Sequence, residues 1–213
     1  MARTKLKRLS KLSELTNVFS FKSPEHHISL FNFFKNKKHF TLEIGCGHGD
    51  YSIELAQKFP ERYFLGVDVK GARIFKGAMK ALELKINNVA FVIARVESLN
   101  EIFLPKSIEE IYIPFPEPHI KRSIQNRRLI SLLLLKIYKE LLVESGLLHF
   151  KTDNQFLFEY AVKSILDSQG KILYSTEDLY KNDDIKFNSG IITSFEKHYI
   201  NQGRKIKYVC FRF

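Results

Sequence analysis

The sequence predicts an α/β fold, an open doubly wound sheet of seven mostly parallel strands. Three observations carry the prediction. From His39 onward, short apolar runs alternate with segments of helical period. The connections are short, which in strand–helix–strand units gives parallel pairing and right-handed crossovers. A glycine cluster, Gly45-Cys46-Gly47-His48-Gly49, stands between the first such strand and the first helix.

Phe40–Ile44 reads as a buried strand and Tyr51–Phe59 as a helix stopped by Pro60. Tyr63–Val67 is the second strand, and Ala72–Leu84 a helix ended by the Asn87-Asn88 turn. Val89–Ala94 and Ile108–Ile113 are the third and fourth strands. Leu129–Val143 is a helix with an apolar face that stops near Gly146, and Leu147–Lys151 is the fifth strand. Phe156–Asp167 is a helix ended near Gly170, with Lys171–Ser175 and Lys205–Phe213 as the last two strands. Glu177–Phe195 is polar and irregular, a surface insertion of a length often given to function.

At 213 residues the chain is one domain with some elaboration, divided here into a basic N-terminal arm, 1–38, and the domain proper, 39–213. Hydrophobic residues at 45% and charged residues at 27% exclude wholesale disorder. The two cysteines, Cys46 and Cys210, form no metal or disulfide spacing, so no metal is expected. The most apolar stretch, Leu129–Leu135, is interrupted by Ser131 and followed by Lys136, far short of the roughly 18 residues that span a bilayer. No membrane partner is expected. Without a secretory signal the chain reads as reduced and cytoplasmic, a monomer or homodimer.

Lysine and arginine number 34 against 23 acids, giving +11 and a pI near 9.5. That is the electrostatic footprint of a polyanion binder. The arm carries Arg3, Lys5, Lys7, Arg8 and Lys11 against Glu14. It reads as an RNA-binding arm, a transit peptide or a solvated tail; the lack of an amphipathic stripe favours arm or tail.

The glycine turn follows a strand and opens a helix, where glycine permits tight turning and close backbone approach to a ligand. The second strand ends in Gly66-Val67-Asp68, which places a carboxylate where ribose hydroxyls are bound in open α/β sheets. A nicotinamide dinucleotide wants G-x-G-x-x-G, with its pyrophosphate on the helix N-terminus. This chain has G-x-G-x-G, with Glu43 before the turn. An acid there repels a pyrophosphate and suits a ligand with a positive end, such as the amino group of S-adenosylmethionine. Glu43-Ile44-Gly45-Cys46-Gly47 resembles the first motif of class I S-adenosylmethionine-dependent methyltransferases, whose fold is the Rossmann-like sheet described above, and Asp68 resembles their ribose acid. After the third strand, where these enzymes usually carry an acid or amide near the adenine, the chain reads Ala94-Arg95-Val96-Glu97-Ser98. Guanidinium has only donors, so Glu97 or backbone groups are left to accept from the adenine.

Beyond the fourth strand lies Pro114-Phe115-Pro116-Glu117-Pro118-His119-Ile120-Lys121-Arg122, then Asn126-Arg127-Arg128-Leu129. Three prolines rigidify the loop. Lys121, Arg122, Arg127 and Arg128 follow within eight residues, ahead of a helix whose macrodipole they oppose. RNA phosphates would relieve that conflict.

Phe115-Pro116-Glu117-Pro118, Lys121 and Arg127-Arg128-Leu129 resemble the signature of bacterial-type tRNA (guanine-N7-)-methyltransferases, F-P-D-P-W-x-K followed by K-R-R. His149-Phe150-Lys151-Thr152-Asp153 resembles the family's H-x-K-T-D strand, and Thr193-Ser194-Phe195-Glu196 its T-x-F-E motif. Leu6-Lys7-Arg8 with Asn17-Val18-Phe19 is similar to its N-terminal segment. The chain departs from the pattern at Pro114, at Glu117 in place of Asp, at His119 in place of Trp and at Arg95 in place of the adenine acid. The resemblance implies tRNA as partner and methyl transfer to N7 of a guanine, conventionally the variable-loop guanine. Ribosomal RNA, a small heterocycle as substrate, and a non-catalytic RNA binder on the same fold are the other readings. The cofactor set is then Glu43, Gly45, Gly47, Gly49, Asp68, Arg95, Val96, Glu97 and Glu117. Glu117 is also the catalytic candidate. Lys121, Arg122, Arg127, Arg128, Asp153, Thr193, Phe195 and Glu196 are the substrate candidates, although capping alone accounts for Thr193–Glu196. His149, inside a strand, reads as a core histidine.

Overall fold

The computed structural model describes residues 6, 8–20, 30, 32–33, 39–181 and 189–213. Arg3, Lys5 and Lys7 of the basic arm, and positions 182–188 of the polar stretch, lie outside the described residues. The chain divides into two units, Met1–Phe103 and Leu104–Phe213, and each is taken in turn.

The first unit holds β1 (Val18–Ser20), β2 (Phe40–Ile44), α1 (Asp50–Lys58), β3 (Phe64–Asp68), α2 (Gly71–Glu83), β4 (Val89–Ile93) and the short α3 (Leu99–Ile102). Its strand order is β1-β4-β3-β2, and every pair is parallel. All five residues of β2 and of β3 are buried, which is why these strands read as unbroken apolar runs rather than alternating ones. Helix α2 buries Gly71, Ile74, Gly77, Ala78 and Ala81, one helical stripe. Asn88 donates its side-chain amide to the carbonyls of Ala56, Phe59 and Arg62, so the residue that ends one turn also satisfies the orphan carbonyls at the end of α1.

The sequence predicts seven strands; the described residues contain eight. The eighth is β1, which lies in the segment read as an arm. Three residues are too few to register as a period. Phe19 is nonetheless buried, and Asn17 donates to the Ala78 carbonyl at 3.1 Å.

The second unit holds β5 (Ile108–Pro114), α4 (Leu132–Leu141), β6 (Leu142–Thr152), α5 (Gln155–Asp167), β7 (Lys171–Thr176), α6 (Ser194–Asn201) and β8 (Lys207–Arg212). Its order is β5-β6-β8-β7; β5 and β6 are parallel, and β8 is antiparallel to both neighbours. The helix predicted from Leu129 starts three residues later. Ser131 is its extended N-cap, and a 3-10 stretch, Arg122–Arg127, precedes it. Its C-terminal end is shorter too, because Leu142 already has strand geometry. His149 is a core histidine: it stacks on Tyr112 with ring centroids 4.3 Å apart, and its Nδ1 lies 2.7 Å from the Tyr208 hydroxyl. Helix α6 is absent from the sequence reading. Thr193 caps it by accepting from the Glu196 N–H at 3.2 Å.

Candidate functional site

In the first unit, β2 runs into the glycine turn and delivers Glu43 beneath it. Gly45, Gly47 and Gly49 all have left-handed backbones. At Gly49 the requirement is double, because a Cβ would also collide with the Phe91 ring. Gly77 of α2 lets the turn approach, since a Cβ there would collide with the His48 carbonyl oxygen. Glu43 is buried. Its Oε2 accepts from the Ser52 N–H at 2.9 Å and from the Ser52 hydroxyl at 2.5 Å. Burial outweighs these two bonds and pushes its pKa up to about 8. Asp68, also buried, accepts from the Gly47 N–H at 3.0 Å and the Lys70 N–H at 2.8 Å, which fixes its carboxylate against the turn.

Beside Asp68 opens a cleft of about 340 Å³, lined by Val69, Ile93, Ala94, Arg95, Ser98, Glu101 and Ile102. Its apolar walls come from the ends of β3 and β4 and from Ile102 of α3. Arg95 is exposed and pairs with Glu97 at 3.4 Å, while Val96 is buried. Sequence reading missed Glu101, which lines the same cleft from α3.

In the second unit, β5 ends in the loop that carries Glu117, which is exposed. Phe115 and His119, on either side, have left-handed backbones. The Phe115 N–H donates to the Lys151 carbonyl at 2.8 Å. Lys121, Arg122 and Arg127 are exposed, as phosphate contacts must be. Arg128 departs from that expectation. It is 3% exposed and donates to the carbonyls of Pro118, His119 and Ile120. Its guanidinium lies over the rings of Phe156 and Tyr160, at 4.8 and 4.2 Å. A side chain so engaged braces the loop and is withdrawn from a nucleic-acid backbone.

The remaining substrate candidates separate in the same way. Phe195 is 51% exposed, with its ring against Phe115 and Tyr199. Asp153 holds Arg204 at 2.7 Å. Thr193 is the α6 cap, and Glu196 is fully buried, paired with Lys151 at 3.2 Å and accepting from the Tyr180 hydroxyl at 2.6 Å. Neither presents its side chain as an open substrate contact, because each is already satisfied within the unit. Among the described residues, no group of three or more His, Cys, Asp or Glu is placed to hold a metal ion. No described helix is long and apolar enough to cross a membrane.

A family model described as putative methyltransferase matches residues 37–209. A tRNA (guanine-N7-)-methyltransferase of Christiangramia forsetii is 40% identical, with 93% of this chain and 88% of the relative covered. Its counterpart from Cytophaga hutchinsonii is 37% identical over all of this chain and 99% of its own length. The chain belongs to the tRNA (guanine-N7-)-methyltransferase family. Among solved structures, a 16S rRNA methyltransferase, KamB, matches with a TM-score of 0.63 at 14% identity, covering 86% of this chain and 91% of that one. At that identity the likeness establishes the class I methyltransferase fold and nothing further.

For a member of this family, sequence reasoning missed Lys151 and Tyr180 as the partners of Glu196. Lys151 stood inside the matched His149–Asp153 segment, and a lysine two residues along a strand from a histidine read as core shares its face, which is itself a signal that an acid must meet it. The Arg128 brace had no comparable signal, because two adjacent arginines look alike until one is buried.

Proposed function

We propose that this tRNA (guanine-N7-)-methyltransferase family member transfers the methyl group of S-adenosylmethionine to N7 of a guanine in the variable loop of tRNA. The observation that carries the cofactor reading is the pair of buried carboxylates, Glu43 and Asp68, against a turn of three left-handed glycines. The residues fit the cofactor. A Glu43 held protonated by burial is ready to ionise against a cationic amine. Asp68, oriented by two backbone donors, keeps lone pairs for ribose hydroxyls. The cleft beyond it offers apolar walls for a flat base, with the exposed Arg95 at its edge. When bound, the cofactor supplies an electrophilic methyl group on a sulfonium.

Guanine N7 has a lone pair and no proton, so the protein needs no general base to make the nucleophile. Its task is placement, worth up to roughly 7–11 kcal/mol in favourable cases. Glu117 accepts from guanine N1–H and the exocyclic amine, and its charge offsets the positive charge that develops on the purine. Arg128, bonded to three consecutive loop carbonyls, holds Glu117 in position. Lys121, Arg122 and Arg127 meet phosphates, which orient the RNA without reading sequence. The partner is tRNA and the compartment the cytoplasm.

The deciding experiment incubates the protein with S-adenosylmethionine and unmodified tRNA, with ribosomal RNA in parallel, and looks for 7-methylguanosine by mass spectrometry. The modified base should form in tRNA and map to the variable loop. Product in ribosomal RNA alone would replace the substrate. A chain that fails to bind S-adenosylmethionine by titration calorimetry would be a non-catalytic RNA binder.

A further inference from the structure

The first unit carries a basic face that the cofactor and the guanine leave unused. On α2, Arg73, Lys76 and Lys80 recur at i, i+3 and i+7, all exposed and on the side away from the buried Ile74, Ala78 and Ala81. The first turn of α2 holds no acid. Lys80 is taken up by Asp50 at 2.9 Å, which leaves Arg73 and Lys76 as the uncompensated cations of the stripe among the described residues.

Two neighbouring segments border the same face, and the second adds charge to it. At Gly77 the helix backbone lies against the His48 carbonyl, so the glycine turn borders the stripe. At Gly71 the side chains of Leu9 and Leu12 come within 3.4 Å of where a Cβ would stand, so the N-terminal segment rests on the start of α2. That segment brings Arg8 and Lys11. The convergence has an electrostatic signature at His48, whose pKa is lowered first by burial and then by Lys76, with Arg73 and Arg8 adding and Asp50 opposing. Like charges three residues apart on a helix repel each other. A face that gathers such charges from two segments is built for a polyanion more readily than for solvent.

We infer that Arg8, Arg73 and Lys76 form a second contact surface for RNA backbone phosphates, carried by the first unit in addition to the Lys121–Arg127 segment of the second. The inference rests on the tRNA reading, which supplies the polyanion. Its place beside the glycine turn would let bound RNA and bound cofactor share one face of the unit.

The test is Arg73→Ala/Lys76→Ala, compared with wild type for binding of unmodified tRNA between low and moderate salt. Removing one cation that meets a phosphate should flatten the plot of log affinity against log salt by about 0.7–0.9. The double variant should therefore drop about 1.4–1.8 in slope and bind tRNA several-fold to tenfold more weakly at low salt. Affinity for S-adenosylhomocysteine and the thermal unfolding midpoint should not change, since both side chains are exposed and outside the cofactor cleft. Equal slopes and equal affinities would overturn the surface. So would a drop in binding to anionic lipid vesicles with tRNA binding intact, which would make the face a membrane contact. If wild type and variant show the expected slope difference but wild type forms no 7-methylguanosine, the functional reading fails and the surface stands.

Discussion

Lys151 and Glu196 form an ion pair 3.2 Å long in which the lysine is 3% exposed and the glutamate not at all. The lysine also donates to the Ile191 carbonyl, and its own carbonyl holds the Phe115 N–H. One residue of β6 thus ties together the loop that carries Glu117, the approach to α6 and α6 itself. Desolvation lowers the pKa of Lys151, and Glu196 opposes that shift. The pair is a fastening whose solvation cost is already met within the fold.

Breaking one side of such a pair strands a buried charge. Glu196→Ala should cost about 3–5 kcal/mol of stability, read by urea unfolding. Lys151→Met/Glu196→Gln, which removes both charges, should cost clearly less than the two single changes added together. Strict additivity of the two would mean that the charges do not depend on each other.

Arg127 and Arg128 are adjacent, and they should fail differently. Arg127→Ala should flatten the salt dependence of tRNA binding by about 0.7–0.9, because Arg127 is exposed and, in the proposed function, is one of the cations that meet phosphates. Arg128→Ala should leave that slope at its wild-type value and lower kcat and the unfolding midpoint, because three loop carbonyls are left without their donors. Arg128→Lys should not rescue it, since one ammonium cannot replace a planar fork over two rings. A flattened slope in Arg128→Ala would return that residue to the RNA surface.

How much of this was legible in the sequence follows from physical range. Phe40–Ile44 and Phe64–Asp68 are buried runs between strong turn signals, and both are read from the chain to within a residue. The glycine turn was equally plain, because its geometry depends on local backbone freedom. The strand Val18–Ser20 was not, since its burial comes from pairing with residues 91–93 far along the chain. Helix α6 begins at Thr193-Ser194-Phe195-Glu196, a capping signature that was readable but stood inside a polar stretch. The fate of Arg128 and Glu196 was beyond reach for a different reason. Apart from the strand placement of Lys151, charge on a sequence gives no sign of whether a side chain will meet water, RNA or a buried partner 45 residues away.

Glu117 stands where the family usually has the shorter Asp, and it is exposed on a braced loop. Glu117→Gln keeps one acceptor and loses the anion. Turnover should fall by roughly 10²–10³, the range for removal of one preorganised electrostatic contact. Affinity for S-adenosylmethionine should stay near wild type. Full activity in Glu117→Ala would take the chemistry away from this loop.

The last prediction concerns Glu43 and pH. In the folded chain its carboxyl keeps a proton up to about pH 8, because burial outweighs the two bonds from Ser52. In the unfolded chain it ionises near its ordinary value of 4.5. Between these two pH values the native state binds more protons than the unfolded one, so stability falls as pH rises. Below the lower value both states are protonated and nothing is lost; above the upper value both are ionised and the loss is complete, on the order of a few kcal/mol. Glu43→Gln keeps the shape and cannot ionise. Its unfolding midpoint should therefore sit near that of wild type at about pH 4 and move above it steadily toward about pH 8, while its affinity for S-adenosylmethionine drops. Thermal unfolding of both proteins across that range checks the first half, and calorimetric titration the second. A difference between the two midpoints that does not change with pH would mean that Glu43 ionises in the folded chain as it does in water.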